Sequence, residues 1–283
     1  MVSNMSEDIV VNKLENLLSL DELNKLSREL YNHYHTIDAK QTIDSLFNST
    51  LFNFFNINIS NEINSRKICN ELINKYYHNE ITIKSNFINN ILLKTKNHIT
   101  IFELNAGKSR LDLCKVNGSS IAYEIKTDLD NLNRLNKQLG DYLKLFEKVY
   151  IICSKKRCET IEKYLPNECG IYSYRITKKG KYIFKEIKSA KHSTKLDSRK
   201  QLELLTKKEL ESIVNKKYCS RNVLIDYILL KYANNEINDI FKKMLKSKYA
   251  NQWNFLQSKQ QNIYEIDYQW FFKNNLDPNI IYK

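Results

Sequence analysis

Apolar residues recur at intervals of three and four in the first part of the chain: Leu14, Leu17 and Leu18, then Leu23, Leu26 and Leu30. That spacing is one face of a helix. Ser19, with Glu22 three residues on, fits a capping box at a helix start. Residues 1–78 therefore read as a helical region. From Glu80 the pattern changes. Ile83, Phe87, Ile88, Ile91 and Leu92 predict an amphipathic helix over residues 81–97. Strands are predicted over 99–104, 110–116 and 121–127, joined by turns at 105–108 and around Asn117-Gly118, which makes an antiparallel meander. Asp128 then opens a predicted helix in which Leu129, Leu132, Leu135, Leu139, Leu143 and Phe146 form one stripe. The compact apolar run over 148–153 reads as a buried strand. Strand, crossover helix and strand in that order imply a parallel pair.

A short helix over 158–165 and an edge hairpin over 171–177 and 181–187, turning at Gly180, complete the middle. All five glycines lie between Gly107 and Gly180, which marks a turn-rich centre between helical flanks. The fold class is thus α/β (α+β): a core over 79–190 in the order αβββαβ with a mixed sheet, preceded by helical residues 1–78 and followed by helical residues 191–283. In the last region the aromatic group Tyr264, Tyr268, Trp270, Phe271 and Phe272 reads as core rather than as a stacking platform for bases.

Composition narrows the partners. The 283-residue chain carries 45 Lys and Arg against 32 Asp and Glu, a net charge of +13. Such an excess favours an acidic partner, and nucleic acid is the commonest. No run of eighteen apolar residues exists, so a membrane span is not expected. The first eight residues lack the features of a signal peptide, so a cytoplasmic location is expected. Six cysteines without paired CxxC spacing then read as reduced thiols. Residues 178–200 hold nine Lys or Arg against Glu186 and Asp197. That run is either a solvated face or a contact for phosphate.

Candidate chemistry concentrates in residues 110–126. Glu124 and Lys126 project from the same side of their strand, because side chains alternate. A three-residue loop with Gly118 in the left-handed conformation would place Asp112 directly opposite Glu124. An even-length turn would put the two acids on opposite faces. Carboxylates facing each other at about 5 Å repel unless a cation lies between them. Hard divalent cations take oxygen ligands. Asp112, Glu124 and the main-chain carbonyl of Ile125 supply three. Lys126 could orient an attacking water or stabilise charge on a phosphate. Glu103, ending the strand that pairs with the Asp112 strand, is either a further ligand or a rim carboxylate paired with Lys108 or Arg110. Asn131, Arg134, Gln138 and Tyr142 form a polar stripe that faces either the site or solvent. Glu186-Ile-Lys188 repeats the Glu-x-Lys tripeptide but has no acid on the preceding strand to oppose it.

These residues resemble the PD-(D/E)xK nuclease superfamily and, within it, the bacterial sce7726 family. The resemblance runs through Phe102-Glu103-Leu104, Gly107 to Leu113, Tyr123-Glu124-Ile125-Lys126-Thr127-Asp128, Asn133-Arg134-Leu135, Gln138 to Tyr142, and Phe146. It implies a restriction-endonuclease-like core, with Asp112, Glu124 and Lys126 on catalytic positions and Gln138 and Tyr142 on a recurrent Gln-x-x-x-Tyr feature. Leu111 stands where the name-giving proline would be. The superfamily often draws a further acid from the first helix, and residues 81–97 contain none, which leaves Glu103 as the substitute. The expectation is a nuclease that requires Mg2+ (or Mn2+), binds the metal through Glu103, Asp112, Glu124 and Ile125, and hydrolyses phosphodiester bonds of nucleic acid, with DNA favoured over RNA, in defence against foreign DNA or in repair. The alternative is a catalytically inactive nucleic-acid-binding protein of the same fold. A homodimer is left open.

Overall fold

The computed structural model describes residues 7–58, 63–177, 180–215 and 220–283. Among these, helices α1 (Glu7–Leu17), α2 (Leu20–His33), α3 (Lys40–Phe55), α4 (Ser65–Tyr76) and α5 (Glu80–Phe87) precede strands β1 (Ile99–Ala106), β2 (Ser109–Val116) and β3 (Ser120–Lys126). Helix α6 (Leu135–Leu143), β4 (Lys148–Ser154), α7 (Cys158–Glu162), β5 (Gly170–Ile176) and β6 (Tyr182–Lys188) follow. Helices α8 (Ser198–Glu203), α9 (Lys207–Val214), α10 (Arg221–Lys231), α11 (Asn234–Lys259), α12 (Tyr268–Asn274) and α13 (Pro278–Ile281) close the order. The architecture is mixed α+β, with an open six-stranded mixed sheet and flanking helices. The chain divides into two compact units: residues 1–89 with 176–182 and 255–283, and residues 90–175 with 183–254.

The first unit is a helical assembly built on the leucine stripe. Leu14, Leu26, Leu30, Phe47, Leu51, Ile68 and Leu72 are buried together. The expected capping box forms: the Glu22 N–H donates to Ser19 Oγ at 3.3 Å and the Ser19 N–H to Glu22 Oε2 at 2.8 Å. Each satisfies an amide that the helix start leaves unpaired. Tyr268, Phe271 and Phe272 are buried, so the C-terminal aromatics are largely core. Helix α5 begins at Glu80, one residue earlier than the apolar pattern predicts, and Glu80 pairs with Lys84 at 2.8 Å. The first helix therefore does open on an acid. It also ends sooner than predicted, at Phe87, and passes into a wider π turn over Ile88–Leu92.

In the second unit the sheet order is β1-β2-β3-β4-β5-β6, antiparallel from β1 to β3 and parallel from β3 to β5. The meander and the parallel step after the crossover are as the pattern predicts. Helix α6 packs on β2 and β4. Its start is a correction. The predicted helix from Asp128 begins only at Leu135, and Leu129 is 91% exposed. Asp130 Oδ2 accepts from both the Thr127 N–H (2.7 Å) and the Thr127 hydroxyl (2.8 Å), and the Asn133 N–H donates to Asn131 Oδ1. Short polar side chains here bond the local backbone and compete with the helix ladder. The β2–β3 loop is a second correction. It has the three residues 117–119, but Gly118 is not in the left-handed region. The loop closes through Asn117, whose N–H donates to Ser119 O and whose Oδ1 accepts from the Ser119 N–H, both at 3.0 Å. An Asx turn replaces the glycine turn.

The five described cysteines are free thiols; Cys219 lies outside the described residues. Cys153 and Cys158 approach to 3.7 Å between sulfurs. Among the described residues no helix is long and apolar enough to cross a membrane.

Glu147, buried between α6 and β4, ties three segments of this unit together. It accepts from the Ser120 N–H at 2.6 Å, from Asn238 Nδ2 at 3.0 Å and from Lys242 Nζ at 3.1 Å. Burial alone would raise its pKa, but the Ser120, Lys242 and Asn238 donors outweigh burial and hold it below the ordinary 4.5. A depressed folded pKa adds stability that is present above the unfolded value and is lost as pH falls through the folded one. Replacing Glu147→Gln should therefore cost about 1–3 kcal/mol at neutral pH. The gap from the parent should narrow once the pH drops below that depressed value. Urea unfolding at both pH values measures it, and a gap independent of pH would show that the charge is not what matters.

Candidate functional site

The strand register answers the question left by the turn. Val116 pairs with Ser120, Lys115 with Ile121, Cys114 with Ala122 and Leu113 with Tyr123. One more step along this register puts Asp112 across from Glu124. Cross-strand neighbours share a face, and α6 covers that face. Asp112 and Glu124 are 8% and 3% exposed, and Lys126 is 9% exposed. At this point the β2–β3 ladder gives way to a side chain: Asp112 Oδ2 accepts from the Ile125 N–H at 2.6 Å. The main chain of Ile125, whose carbonyl is the expected third oxygen, is thus tied to the site through its amide.

Glu124 is surrounded by donors. Its Oε1 accepts from Lys126 Nζ at 2.7 Å and Gln138 Nε2 at 2.6 Å, and its Oε2 from the Tyr142 hydroxyl at 2.7 Å. Lys126 Nζ also donates to Gln138 Oε1 at 3.0 Å. Gln138 and Tyr142 lie four apart on α6 and so point the same way. They converge on Glu124, as the polar stripe allowed. Asn131 and Arg134 do not join them: both are exposed and lie ahead of the helix. Burial first, and then the Glu124 carboxylate, push the Tyr142 phenol far above the ordinary tyrosine value. Tyr142 therefore remains a hydrogen-bond donor, with Arg110 O also within reach at 2.9 Å.

Glu103 interrupts β1. The register pairs Phe102 with Leu113 and Leu104 with Leu111, so Glu103 falls opposite Asp112, but with φ +54. A left-handed non-glycine residue inside a strand is strained, and such strain concentrates at functional sites. Its carboxylate bonds Arg110 Nε at 2.6 Å, the rim pairing weighed from sequence. A carboxylate oxygen of Glu103 nevertheless lies within 4.8 Å of one of Asp112. Two oxygens bound to one hard cation at about 2.1–2.4 Å are at most about 4.2–4.8 Å apart. That spacing is one that a single small divalent ion could bridge between Glu103 and Asp112; Glu124 is not part of this close group. The strain at Glu103 is the feature that sequence reasoning could not find, since nothing in Phe102-Glu103-Leu104 signals a positive φ.

The loop after β3 is braced from below. Arg157 donates to Thr127 O, and Ser154 Oγ donates to Asp128 Oδ1 at 2.5 Å. The basic run is partly neutralised where it is described. Lys188, Lys195, Arg199 and Lys200 pair with Glu162, Glu168, Asp226 and Glu203. Lys178 and Lys179 lie outside the described residues. Glu186, the repeated tripeptide's acid, is exposed and bonds Tyr150 at 2.9 Å and Tyr172 at 3.3 Å.

A family model described as Bacteriophage P4 protein cII matches residues 73–269, well over half the chain. The chain belongs to that family. Every residue of the candidate site lies within the cII match. Protein cII of Enterobacteria phage P4 is 34% identical over 106 residues, which are 38% of this chain and 40% of that protein. The chain thus spans about two fifths of the length of the cII relative. A solved structure titled a protein of unknown function, SPO1766 from Silicibacter pomeroyi, aligns with 42% of this chain and 81% of its own. Its identity is 16% and its TM-score 0.29, which supports no inference.

The Tyr142 hydroxyl donates to Glu124 Oε2 at 2.7 Å, and the tyrosine side chain is fully buried. Tyr142→Phe should destabilise the protein by about 1–3 kcal/mol, the usual cost of leaving a buried acceptor without its donor. Chemical denaturation at neutral pH tests this, and an unchanged midpoint would mean that Oε2 does not depend on the phenol.

Proposed function

We propose that this cII-family chain is a divalent-metal-dependent nuclease that hydrolyses phosphodiester bonds of DNA, built on a restriction-endonuclease-like αβββαβ core. The observation that carries the reading is the buried constellation itself: Asp112 across from Glu124 on adjacent strands, with Lys126, Gln138 and Tyr142 converging on Glu124. Buried acids are costly to a fold and are worth retaining when they do chemistry.

Asp112, Glu103 and Glu124 would hold Mg2+ (or Mn2+), with the Ile125 carbonyl as a further oxygen. The ion would polarise the scissile phosphate and make a bound water acidic. The chain supplies the rest. The Lys126 ammonium, braced between Glu124 Oε1 and Gln138 Oε1, carries protons that can orient the attacking water or stabilise charge growing on the phosphate. Gln138 positions Lys126, and Tyr142 holds the second oxygen of Glu124. The net charge of +13 favours a polyanionic substrate.

A second reading has its own observation. Both oxygens of Glu124 and one of Asp112 are already satisfied by protein donors, an arrangement that a protein binding nucleic acid without cleaving it could keep. Purified protein incubated with supercoiled DNA separates the two. We expect nicking or linearisation with Mg2+ or Mn2+ and none with chelator, and a loss of roughly a hundredfold or more in Glu124→Ala and Lys126→Ala. Calorimetric titration with Mn2+ gives an independent readout. DNA binding without cleavage and without Mn2+ uptake would establish the second reading, and cleavage unchanged in both variants would overturn the site.

A further inference from the structure

Behind the β1–β2 turn the second unit contains a cavity of about 700 Å³ whose lining is strongly cationic. Lys108, Lys144, Lys200 and Arg221 face it, against Asp141 and Glu203. Glu203 is paired with a cation, whereas Asp141 keeps its charge and is bonded only by a neutral hydroxyl, so the lining is positive by two charges net. Asp141 Oδ2 accepts from Ser109 Oγ at 2.7 Å, and Glu203 Oε2 from Lys200 at 2.7 Å. The remaining cations are not neutralised by acids. Lys108 and Lys144 have no ion-pair or hydrogen-bond partner for their ammonium groups among the described residues. Arg221 is held by main-chain oxygens instead, with Nε at 3.1 Å and one terminal nitrogen at 2.9 Å from Leu205 O. It is therefore fixed in place with its charge intact. The cavity also meets the first turn of α10, an eleven-residue helix with no acid in that turn. Ser220 Oγ accepts the Val223 N–H there, and the helix contributes its positive end.

Two elements of the candidate site wall this cavity. Lys108 sits in the turn joining the strands that carry Glu103 and Asp112. That turn has the form of a two-residue hairpin with Gly107 at φ +66, where a side chain would be strained. Lys144 ends the helix that carries Gln138 and Tyr142. Six residues of helix separate Gln138 from Lys144, about 9 Å along the axis. Roughly three nucleotides of a duplex strand cover that distance at about 3.4 Å each.

We propose that this cavity is an anion subsite that takes a phosphate group of the nucleic-acid substrate a few nucleotides from the cleaved bond, with Lys108 and Lys144 as its contacts and Arg221 as its fixed charge. The identity of the ligand rests on the nuclease reading; the subsite itself rests on the lining. Binding of a fluorescent DNA duplex, followed by anisotropy against salt concentration in chelator, tests it without cleavage. Lys108→Ala and Lys144→Ala should each weaken binding several-fold and lower the salt slope by about 0.9, and the double variant by about 1.8. Lys163→Ala, an exposed charge elsewhere in the same unit, should leave the slope unchanged. Lys108→Arg and Lys144→Arg should restore it, which guards against loss of fold. Duplexes with blocked ends and with 5′-phosphates separate the sources. Dependence in the first assigns an internal phosphodiester, and dependence only in the second assigns a strand end. Alanine variants indistinguishable from Lys163→Ala in both arms would overturn the subsite. Dependence on Lys108 and Lys144 in a protein that never cleaves would keep the subsite and remove only the nuclease reading.

Discussion

A carboxylate with 3% of its surface exposed must be given donors, and the organisation around the β2–β3 hairpin follows from meeting that demand at Glu124. An ionised acid removed from water without partners costs several kcal/mol. Lys126 reaches it from its own strand two residues on, and Gln138 and Tyr142 reach it from successive turns of α6. This requires α6 to pack on β2 and β4 with Gln138 and Tyr142 facing the sheet. Asp112 is accommodated differently, by taking the Ile125 amide where the ladder would otherwise continue. The two acids are thus satisfied by separate means, one by side chains and one by backbone.

The loop between β3 and α6 is kept from being helix by its own polar contacts. A helix beginning at Asp128 would use the Thr127 carbonyl and hydroxyl in its own cap. Instead Asp130 holds the Thr127 amide and hydroxyl, Arg157 takes the Thr127 carbonyl, and Ser154 holds Asp128. The chain leaves β3 rigidly, and α6 enters later, with Leu135, Leu139 and Leu143 as its buried stripe. Leu129 and Leu132, which continue the same periodicity, are left out of it.

Much of this was legible in the sequence, and the misses have physical causes. Period-two alternation and turn residues located the three-stranded meander, and the leucine spacing located α6. The carboxylate pairing followed from loop length alone, since 117–119 is a three-residue loop. Which residue closes that loop was not legible, because an Asx turn by Asn117 and a left-handed Gly118 give the same register. Helix boundaries were misplaced where Thr127, Asp130 and Asn131 offered the backbone partners other than the helix ladder, a competition that apolar spacing does not register. The start of α5 was missed by one residue for a related reason. Asn79 caps it through its side chain to the Thr82 amide, and Glu80 carries no apolar signal. Glu103 in β1 was visible as a candidate but not as a strained residue.

The chain contains its own control for what makes a site. Glu186-Ile-Lys188 has the same three residue types as Glu124-Ile-Lys126 and also lies on a strand. Yet Glu186 is exposed and rests on the hydroxyls of Tyr150 and Tyr172, and Lys188 pairs with Glu162 rather than with its own glutamate. The difference lies in the neighbours. No acid stands on the preceding strand, and among the described residues no helix is seen to present a glutamine and a tyrosine to Glu186. A Glu-x-Lys strand is a surface feature until an opposing carboxylate and a covering helix bury it. Burial in turn turns an ordinary ion pair into a group whose protons and charges are held in fixed positions. Asp112, Gln138 and Tyr142, rather than the tripeptide, are what distinguish residues 110–142 from the rest of this Lys-rich chain.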